Sequence, residues 1–303
     1  MSSSNLAGET QIFRRLGPKP ASAARSPFAL APTGAGTGAR AVAQLRHDLH
    51  LFMRQESVAQ PHETDARRLA VLLDMYEVLH SLTEGPARWE SRAAATLARA
   101  LESYTEELQA EPDQASASAM RTLAQGIDLL ANLLERHTPG LEEVGAAPFV
   151  LVVDDEPLSR RLAKLGLERA GLAHISLDSS TEAAELLQRQ RFDLVLLDMH
   201  MPDLDGCELC RRMRKMAFHA ATPAVFVTGQ NDLKARAQAS LSGGTDFIGK
   251  PFHCGELAVK ALGHILRARS PRPLGDTAIF TLAGVTGSPA GTNASTSPRL
   301  AGV

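Results

Sequence analysis

The feature that most constrains this chain is a pair of short apolar runs that each end in acidic residues. Phe149 to Val153 is followed at once by Asp154 and Asp155, and Leu194 to Leu197 is followed by Asp198. Runs of this length and composition predict strands that are buried on both faces, as in a parallel sheet. Because the carboxyl ends of parallel strands lie at one edge of a sheet, we expect the three carboxylates to meet there. Such a group of hard oxygen ligands favours a Mg²⁺ site.

From residue 148 onward, the sequence repeats a strand-then-helix pattern. The predicted strands are 149–153, 173–177, 194–197, 224–228 and 246–249, and the predicted helices are 157–170, 181–190, 207–217, 232–242 and 255–268. Pro157 stands at the first position of the first helix and Gly171 just past its end, where these residues are favoured. Ser179 followed by Glu182 predicts a capping box at the second helix. The alternation predicts an α/β domain whose parallel sheet is covered on both faces.

These motifs, in this order, resemble the receiver domain of bacterial two-component response regulators. The resemblance covers about residues 147–269. It is carried by an acidic pair, an acceptor aspartate with Met-Pro and Gly after it, a hydroxyl residue, an aromatic residue and a Lys-Pro-Phe sequence: Asp154, Asp155, Asp198, Met201, Pro202, Gly206, Thr228, Phe247, Lys250, Pro251 and Phe252. It implies a flavodoxin-like α/β fold of five βα units with a parallel sheet in the order 2-1-3-4-5.

The resemblance also implies a phosphoacceptor and a metal site. Asp198 is expected to take up a phosphoryl group as an aspartyl phosphate in a Mg²⁺-dependent reaction. The expected metal ligands are the carboxylates of Asp154, Asp155 and Asp198 and the backbone carbonyl of His200. Of these, Asp154 is expected to act mainly through water.

Other residues are expected to respond to the bound phosphoryl group. Lys250 would bring a positive charge and Thr228 a hydroxyl to its oxygens, and Phe247 would swing into the space that Thr228 vacates. A cis peptide bond before Pro251 would aim Lys250 at the site. Gly229 and Phe247 stand where many relatives carry Ala and Tyr.

The same resemblance predicts which surface changes on phosphorylation. In receiver domains this face is usually formed by the fourth strand and helix and the fifth strand and helix, here residues 224–268. Leu233, Ala237 and Leu241 have the spacing of positions on the fourth helix that face the sheet.

The segment 39–138 has helical periodicity instead. Four apolar stripes are separated by breaks at Gln60-Pro61, Gly85-Pro86 and Glu111-Pro112. The stripe of the second helix, predicted to be its buried face, is Leu69, Leu72, Leu73, Tyr76 and Leu79. Four helices of about twenty residues joined by brief turns predict an antiparallel four-helix bundle.

The remaining segments have no sustained period. Residues 1–38 and 270–303 are rich in Ser, Ala, Gly and Pro and are predicted to be disordered, and 139–147 is predicted to be a linker. The chain is thus predicted to divide into a helical bundle at 39–138 and a receiver domain at 148–269. Three cysteines indicate no disulfide framework, and we expect a cytoplasmic protein. No apolar run has the length of a membrane span.

The distribution of charged residues along the chain indicates which classes of partner to expect. The segment 41–146 carries nine Lys and Arg against seventeen Asp and Glu, and 147–269 carries sixteen against fifteen. Neither composition indicates the dense basic face that binds a phosphate backbone, so we expect no direct nucleic-acid contact. The expected partners are a cognate sensor histidine kinase or phosphotransfer protein, and a second copy or a protein effector bound through the helical bundle.

Three functions are compatible with these features. The first is a response regulator that is not an enzyme and that switches a protein–protein contact. The second is a phosphorelay intermediate with His47, which lies off the apolar stripe and before Asp48, as acceptor; because the motif after His47 is incomplete, we expect that it is not phosphorylated. The third is a phosphatase with an aspartyl nucleophile. That class needs a second acid two residues after the nucleophile, where this chain has His200.

Overall fold

The computed structural model describes residues 35–56, 61–84, 91–135, 147–229 and 233–270. Most of the predicted disordered segments and of the predicted linker lies outside these ranges. The exceptions are residues 35–38, which begin the first helix rather than belonging to a disordered segment, and the single residues Ala147 and Ser270. Within the described ranges, no helix combines the length and the apolar character needed to cross a membrane.

The first part of the described chain is all helical, as predicted. Its helices are α1 (Ala35–Glu56), α2 (Pro61–Glu84), α3 (Arg92–Ala110) and α4 (Ala117–Glu135), with a short 3₁₀ turn at Pro112–Gln114. α1 and α3 each pack against both α2 and α4, which closes a ring of four helices. Ser91 caps α3 by accepting the N–H of Ala94 at 3.3 Å.

The buried face of α2 differs from the predicted one. Leu72 and Leu79 are buried as expected, but Leu73 is 48% exposed and Tyr76 is only partly buried. The rest of the buried face is formed by Met75, Val78 and Leu82. Apolar residues occur at so many positions of α2 that the 3.6-residue period allows more than one phase, and the neighbouring helices select between them.

The second part alternates strands and helices. The elements are β1 (Phe149–Val153), α5 (Pro157–Arg169), β2 (Ala173–Leu177), α6 (Ser180–Arg189), β3 (Leu194–Asp198), α7 (Gly206–Arg214), β4 (Ala224–Thr228), α8 (Leu233–Leu241), β5 (Asp246–Gly249) and α9 (Cys254–Arg269). The strands pair in parallel in the order β2-β1-β3-β4-β5, which is the predicted flavodoxin-like topology. Every residue of β3 and β4 is buried, because helices cover both faces of the sheet.

The predicted signals at helix ends are in place. Pro157 opens α5, and Gly171 follows that helix with a φ of 66°, which a residue without a Cβ adopts at little cost. The hydroxyl of Ser179 accepts the N–H of Glu182 at 3.2 Å and caps α6, which is one of the two hydrogen bonds of the predicted capping box.

The two parts of the chain share an interface that is built on α9. This helix contacts α3 and α4 of the helical part and α5 and β3 of the α/β part. A Cβ on Gly255 would lie 2.6 Å from the Cα of Tyr104, and one on Gly126 would lie 3.1 Å from Val259 Cγ1, so both glycines permit close helix approach. α9 is consequently buried around most of its circumference.

Ionisable side chains fix α9 to β5. Lys260 Nζ donates to the carbonyl of Phe247 at 2.7 Å and lies 3.6 Å from Asp246 Oδ2, and His264 Nε2 lies 3.0 Å from the same oxygen. Burial opposes the ionisation of Asp246, but the neighbouring Lys260 and His264 outweigh burial and lower the pKa of its carboxyl. The buried carboxylate of Asp246 is therefore stabilised by its contacts with Lys260 and His264.

The surface predicted to respond to phosphorylation, residues 224–268, is divided. Its α9 portion is covered by helices of the same chain. On α8, Ala235 and Ala239 are buried while Leu241 is 86% exposed, so the predicted sheet-facing position of Leu241 is wrong. The side chain of Leu233 lies outside the described part of the chain.

Candidate functional site

The register of the sheet brings the acidic strand ends together. β1 and β3 are adjacent and parallel, with Val153 opposite Leu197, so that the next residues along the two strands are Asp154 and Asp198. Asp154 and Asp198 are buried, whereas Asp155 is exposed. Each of the three offers a carboxylate oxygen that lies within 4.8 Å of the others. The sequence prediction that the three carboxylates meet is confirmed, and this set of hard oxygen donors suits Mg²⁺.

Lys250 lies among these carboxylates. Its Nζ is 2.8 Å from Asp198 Oδ2, 2.9 Å from Asp154 Oδ2 and 3.4 Å from Glu156 Oε2. Burial opposes the charged ammonium, but the hydrogen bonds that it donates to Asp198 and Asp154 outweigh burial and raise the pKa of Lys250. The Lys250–Pro251 peptide bond is cis, as predicted.

Opposing influences act on the pKa of the Asp198 carboxyl, and their net effect is to raise it. Burial is the largest influence and raises its pKa, and the charge of Asp154 acts in the same direction. The hydrogen bond and charge of Lys250 lower it, although not enough to reverse the shift. A cation placed among these oxygens would favour the ionised Asp198 that nucleophilic attack on phosphorus requires.

Asp154 is held by contacts that the sequence analysis did not identify. The hydroxyl of Ser159, in the first turn of α5, donates to Asp154 Oδ2. The N–H of Glu156 donates to Oδ1 at 2.9 Å, and Arg160 Nη1 donates to the main-chain carbonyl of Asp154 at 2.7 Å. A hydroxyl residue five positions after the first acid is a sequence signal that could have found Ser159.

Gly206 allows the loop after β3 to close against the acceptor residue. A Cβ at this position would lie 1.9 Å from the carbonyl oxygen of Asp198, a separation that no side chain tolerates. The N–H of Gly206 donates to the carbonyl of Met199 at 3.0 Å, and Asp205 caps α7 by accepting the N–H of Glu208 at 2.9 Å. The glycine is therefore required by the close approach of two backbone segments.

His200 follows the acceptor strand and is exposed. Its N–H donates to Asp198 Oδ1 at 3.4 Å, so the main chain at this position is directed towards the cluster. Its predicted role as a metal ligand through the backbone carbonyl stays a prediction.

The two residues of the predicted switch are both buried. Thr228 ends β4, is fully buried and lies opposite Gly249 of β5. Phe247 is 6% exposed, and the guanidinium of Arg236 lies 5.2 Å from the centre of its ring. The side chain of Phe247 is thus buried in this structure. The predicted movement of Phe247 and the switching role of Thr228 stay predictions.

The candidate histidine of the helical part is in a solvent-facing position. His47 is exposed on α1, as its place off the apolar stripe predicts. Nearby, His50 Nε2 and Arg46 Nε each lie 2.9 Å from Asp128 Oδ1, which is buried in α4. His50 therefore contributes to packing α1 against α4.

Comparison with known proteins supports the resemblance. A family model described as the response regulator receiver domain matches residues 150–261. ResD of Bacillus subtilis, a transcriptional regulatory protein, is 36% identical over 119 residues, which are 39% of this chain and 48% of ResD. The response regulator protein PilR of Pseudomonas aeruginosa is 38% identical over 121 residues, covering 40% of this chain and 26% of PilR. The chain thus spans half or less of the length of these relatives.

One solved structure similar to this chain is the receiver domain of the sensor histidine kinase PA1611 from Pseudomonas aeruginosa, with a magnesium ion coordinated in the active-site cleft. It is 26% identical, covers 40% of this chain and 98% of its own, and has a TM-score of 0.37.

One prediction about partners is wrong. We expected no direct nucleic-acid contact, yet relatives that share this region are named transcriptional regulatory proteins. The net charge of a segment limits the non-specific binding of that segment. It does not exclude a role in transcription for a protein that contains the segment.

The fold, the acidic cluster with its lysine and the family match all concern the same part of the chain. Residues 150–261 of this chain are a response regulator receiver domain.

Proposed function

We propose that Asp198 accepts a phosphoryl group and that Asp154, Asp155, Asp198 and the backbone carbonyl of His200 hold the Mg²⁺ that the reaction needs. The observation that carries this proposal is the meeting of three carboxylates with the ammonium of Lys250, 2.8 Å from Asp198. Phosphoryl transfer depends mainly on positioning and charge stabilisation, and this cluster supplies both.

The residues have distinct parts in the proposed reaction. A carboxylate oxygen of Asp198 attacks phosphorus, and the leaving group of the phosphodonor departs with the electron pair. Bound Mg²⁺ would offset the repulsion between the carboxylates and the incoming phosphoryl oxygens. Lys250, which compensates Asp154 and Asp198 before the reaction, would turn to the phosphoryl oxygens. Thr228 would donate its hydroxyl to one of them.

We further propose that the contact between α9 and the helices α3 and α4 changes on phosphorylation. Only a short segment separates Lys250 from Gly255, whose N–H is bound by Glu107 of α3 at 2.9 Å. A displacement of Lys250 towards a phosphoryl group would pull on the start of α9 and hence on this contact. The absence of enzymatic turnover stays a prediction.

The test uses the full chain, a small phosphodonor such as acetyl phosphate, and Mg²⁺. Mass spectrometry is expected to find an alkali-labile phosphate on Asp198. Chelation of Mg²⁺ and Asp198→Asn are each expected to abolish it. The matched control is Asp203→Asn, which changes an acid of the same loop whose left-handed backbone, with a φ of 68°, an asparagine also adopts.

The proposal fails if Asp198→Asn carries the alkali-labile phosphate to the same extent as the unmodified chain. Hydrogen exchange of the phosphorylated and unphosphorylated chains tests the second part. Equal protection of α3 and α9 in both forms would mean that phosphorylation does not change the contact of α9 with α3 and α4.

A further inference from the structure

His80, near the end of α2, is held in one orientation by a carboxylate of the next helix. Its Nδ1 lies 2.6 Å from Oε1 of Glu102 in α3. An ionised carboxylate can only accept a hydrogen bond, so Nδ1 carries the proton. In the neutral ring, Nε2 then has the lone pair and is the nucleophilic nitrogen. Half of the His80 side chain is exposed to solvent.

Further contacts fix this pair. The ring of Tyr76 stacks on the imidazole, with ring centres 5.3 Å apart and planes 10° from parallel. The hydroxyl of Thr83 donates to the other oxygen of Glu102 at 2.6 Å. The imidazole and the carboxylate are therefore both oriented before any reactant arrives, which is what an efficient nucleophile needs.

Two other histidines of the helical part have described side chains, His47 and His50, and both lack this arrangement. His47 is exposed, but among the described residues no carboxylate partner of its ring is found. His50 does have a carboxylate partner, Asp128, but contacts it through Nε2. The orientation by Glu102 thus distinguishes His80 from His47, the histidine that the sequence motif indicated as a candidate phosphoacceptor.

We propose that His80 is a second phosphoacceptor, which exchanges a phosphoryl group with an aspartyl phosphate such as that of Asp198. This inference rests on the proposed function of Asp198. It makes the helical part a carrier of histidyl phosphate, with His80 in place of His47. The chemical class of its reaction partner is a phosphorylated receiver aspartate, on this chain or on another copy.

The step balances without a further reactant. The Nε2 lone pair attacks phosphorus, the bond between phosphorus and the aspartate oxygen breaks, and the carboxylate leaves with the electron pair. The proton stays on Nδ1, where Glu102 compensates the positive charge that the ring acquires. Lys250 of the receiver supplies the positive charge at the phosphoryl oxygens, since acidic residues dominate the composition of the helical segment.

The transfer can be tested between two full-length variants. The donor is His80→Gln, labelled on Asp198 with radioactive phosphate and freed of phosphodonor. The acceptor is Asp198→Asn. We expect the label to move to the acceptor as an alkali-stable, acid-labile phosphate. The double variant Asp198→Asn/His80→Gln should accept none, while Asp198→Asn/His47→Gln should accept as much as Asp198→Asn.

Glu102 acts as a positioning residue in this scheme. In the Asp198→Asn background, Glu102→Gln should slow labelling by roughly tenfold to a hundredfold, because a misplaced reacting group costs factors of this size. Thermal unfolding of each variant checks that the helices remain folded. Equal labelling with and without His80 would overturn the proposal.

A second arm does not depend on Asp198. Phosphoramidate, which phosphorylates imidazoles directly, is applied to Asp198→Asn, and labelled histidines are identified by mass spectrometry. His80 should react faster than His47, and Glu102→Gln should slow His80 alone. If the donor fails to take label, the function proposed for Asp198 is wrong, while this arm still decides about His80. Reaction of His80 no faster than that of His47 would contradict the proposal.

Discussion

The carboxylate of Glu107 in α3 accepts the backbone N–H of Gly255, in the first turn of α9, at 2.9 Å. The accepting oxygen, Oε2, also lies 3.8 Å from Nδ1 of His253, the residue just before α9. The other oxygen, Oε1, pairs with Arg169 at the end of α5. One side chain of the helical part therefore contacts both helices that cover one face of the sheet. The first N–H groups of an α-helix have no acceptor within the helix, and together with the helix dipole they favour an anion at the start of α9.

Glu107→Gln is expected to weaken this interface. The substitution removes the charge that faces Arg169 and the helix dipole, and we expect a loss of roughly 1–3 kcal/mol in the free energy of unfolding, the range for a hydrogen bond to a charged group. Hydrogen exchange should accelerate in α3 and at the start of α9. The matched control is the exposed neighbour Glu106→Gln, which should change stability by less than about 0.5 kcal/mol. Equal effects of the two substitutions would contradict the assigned role of Glu107.

Gly206→Ala is expected to disrupt the loop that carries the site. Its Cβ would meet the carbonyl of Asp198 at 1.9 Å, so the backbone must move. We expect a loss of roughly 3 kcal/mol or more in the free energy of unfolding, measured by chemical denaturation, with loss of Asp198 phosphorylation. Gly229→Ala is the control, because nothing lies within 4 Å of a Cβ there. The prediction is refuted if both substitutions are tolerated equally.

Lys250→Ala is expected to increase the stabilisation that Mg²⁺ gives. Without its ammonium, Asp154 and Asp198 repel each other, which should lower the unfolding temperature in the absence of metal. Mg²⁺ would no longer compete with Lys250 for the same oxygens and should raise the unfolding temperature of the variant more than that of the unmodified chain. Thermal unfolding with and without Mg²⁺ measures this difference. Lys164→Ala, at an exposed position of α5, serves as the control, and an equal Mg²⁺ effect in all three proteins would rule out the competition.

Glu256→Gln is expected to stabilise the protein at neutral pH. Burial raises the pKa of this carboxyl above the ordinary value of 4.5, despite Lys260 at 3.8 Å. The folded state therefore binds the proton more tightly than the unfolded state, and stability is lost as the pH rises from 4.5 through the raised folded-state pKa. The glutamine variant should lack this loss, so its advantage should grow from about pH 4 to about pH 7 in chemical denaturation. Lower stability of the variant at neutral pH would mean that the ion pair with Lys260 outweighs burial.

Much of the candidate site could be predicted from sequence because its determinants are local. Acids directly after buried strands must lie at the carboxyl edge of a parallel sheet, and a short loop limits where Lys250 can reach. The α/β element bounds agree with prediction to within one residue for the same reason, since strand runs, Pro157 and Gly171 act within a few residues. The exception is α7, which ends at Arg214 rather than at the predicted residue 217. Ser159 was missed because one hydroxyl in a first helical turn has many ordinary uses.

The helical part was harder to predict because its determinants are not local. The phase of α2 depends on which of its apolar residues meet α1 and α3, and period alone did not decide between Leu73 and Met75. His80 and Glu102 lie on two different helices, so no local sequence motif indicates their contact. The adjacent residues His47 and Asp48, in contrast, form a recognisable local motif.

The sequence by itself determined the alternation of strands and helices in the α/β part, the acidic cluster around Asp198 and the helical character of α1 to α4, because periodicity, strand ends and turn residues act over short distances. The order of the strands was expected from the resemblance to receiver domains. Only the tertiary structure decided that α9 is buried between the sheet and the helices α3 and α4, that Glu107 binds its first turn, and that Glu102 orients His80. These relationships depend on side chains far apart in the chain, whose contacts are selected by packing the elements together rather than by the propensity of any one of them.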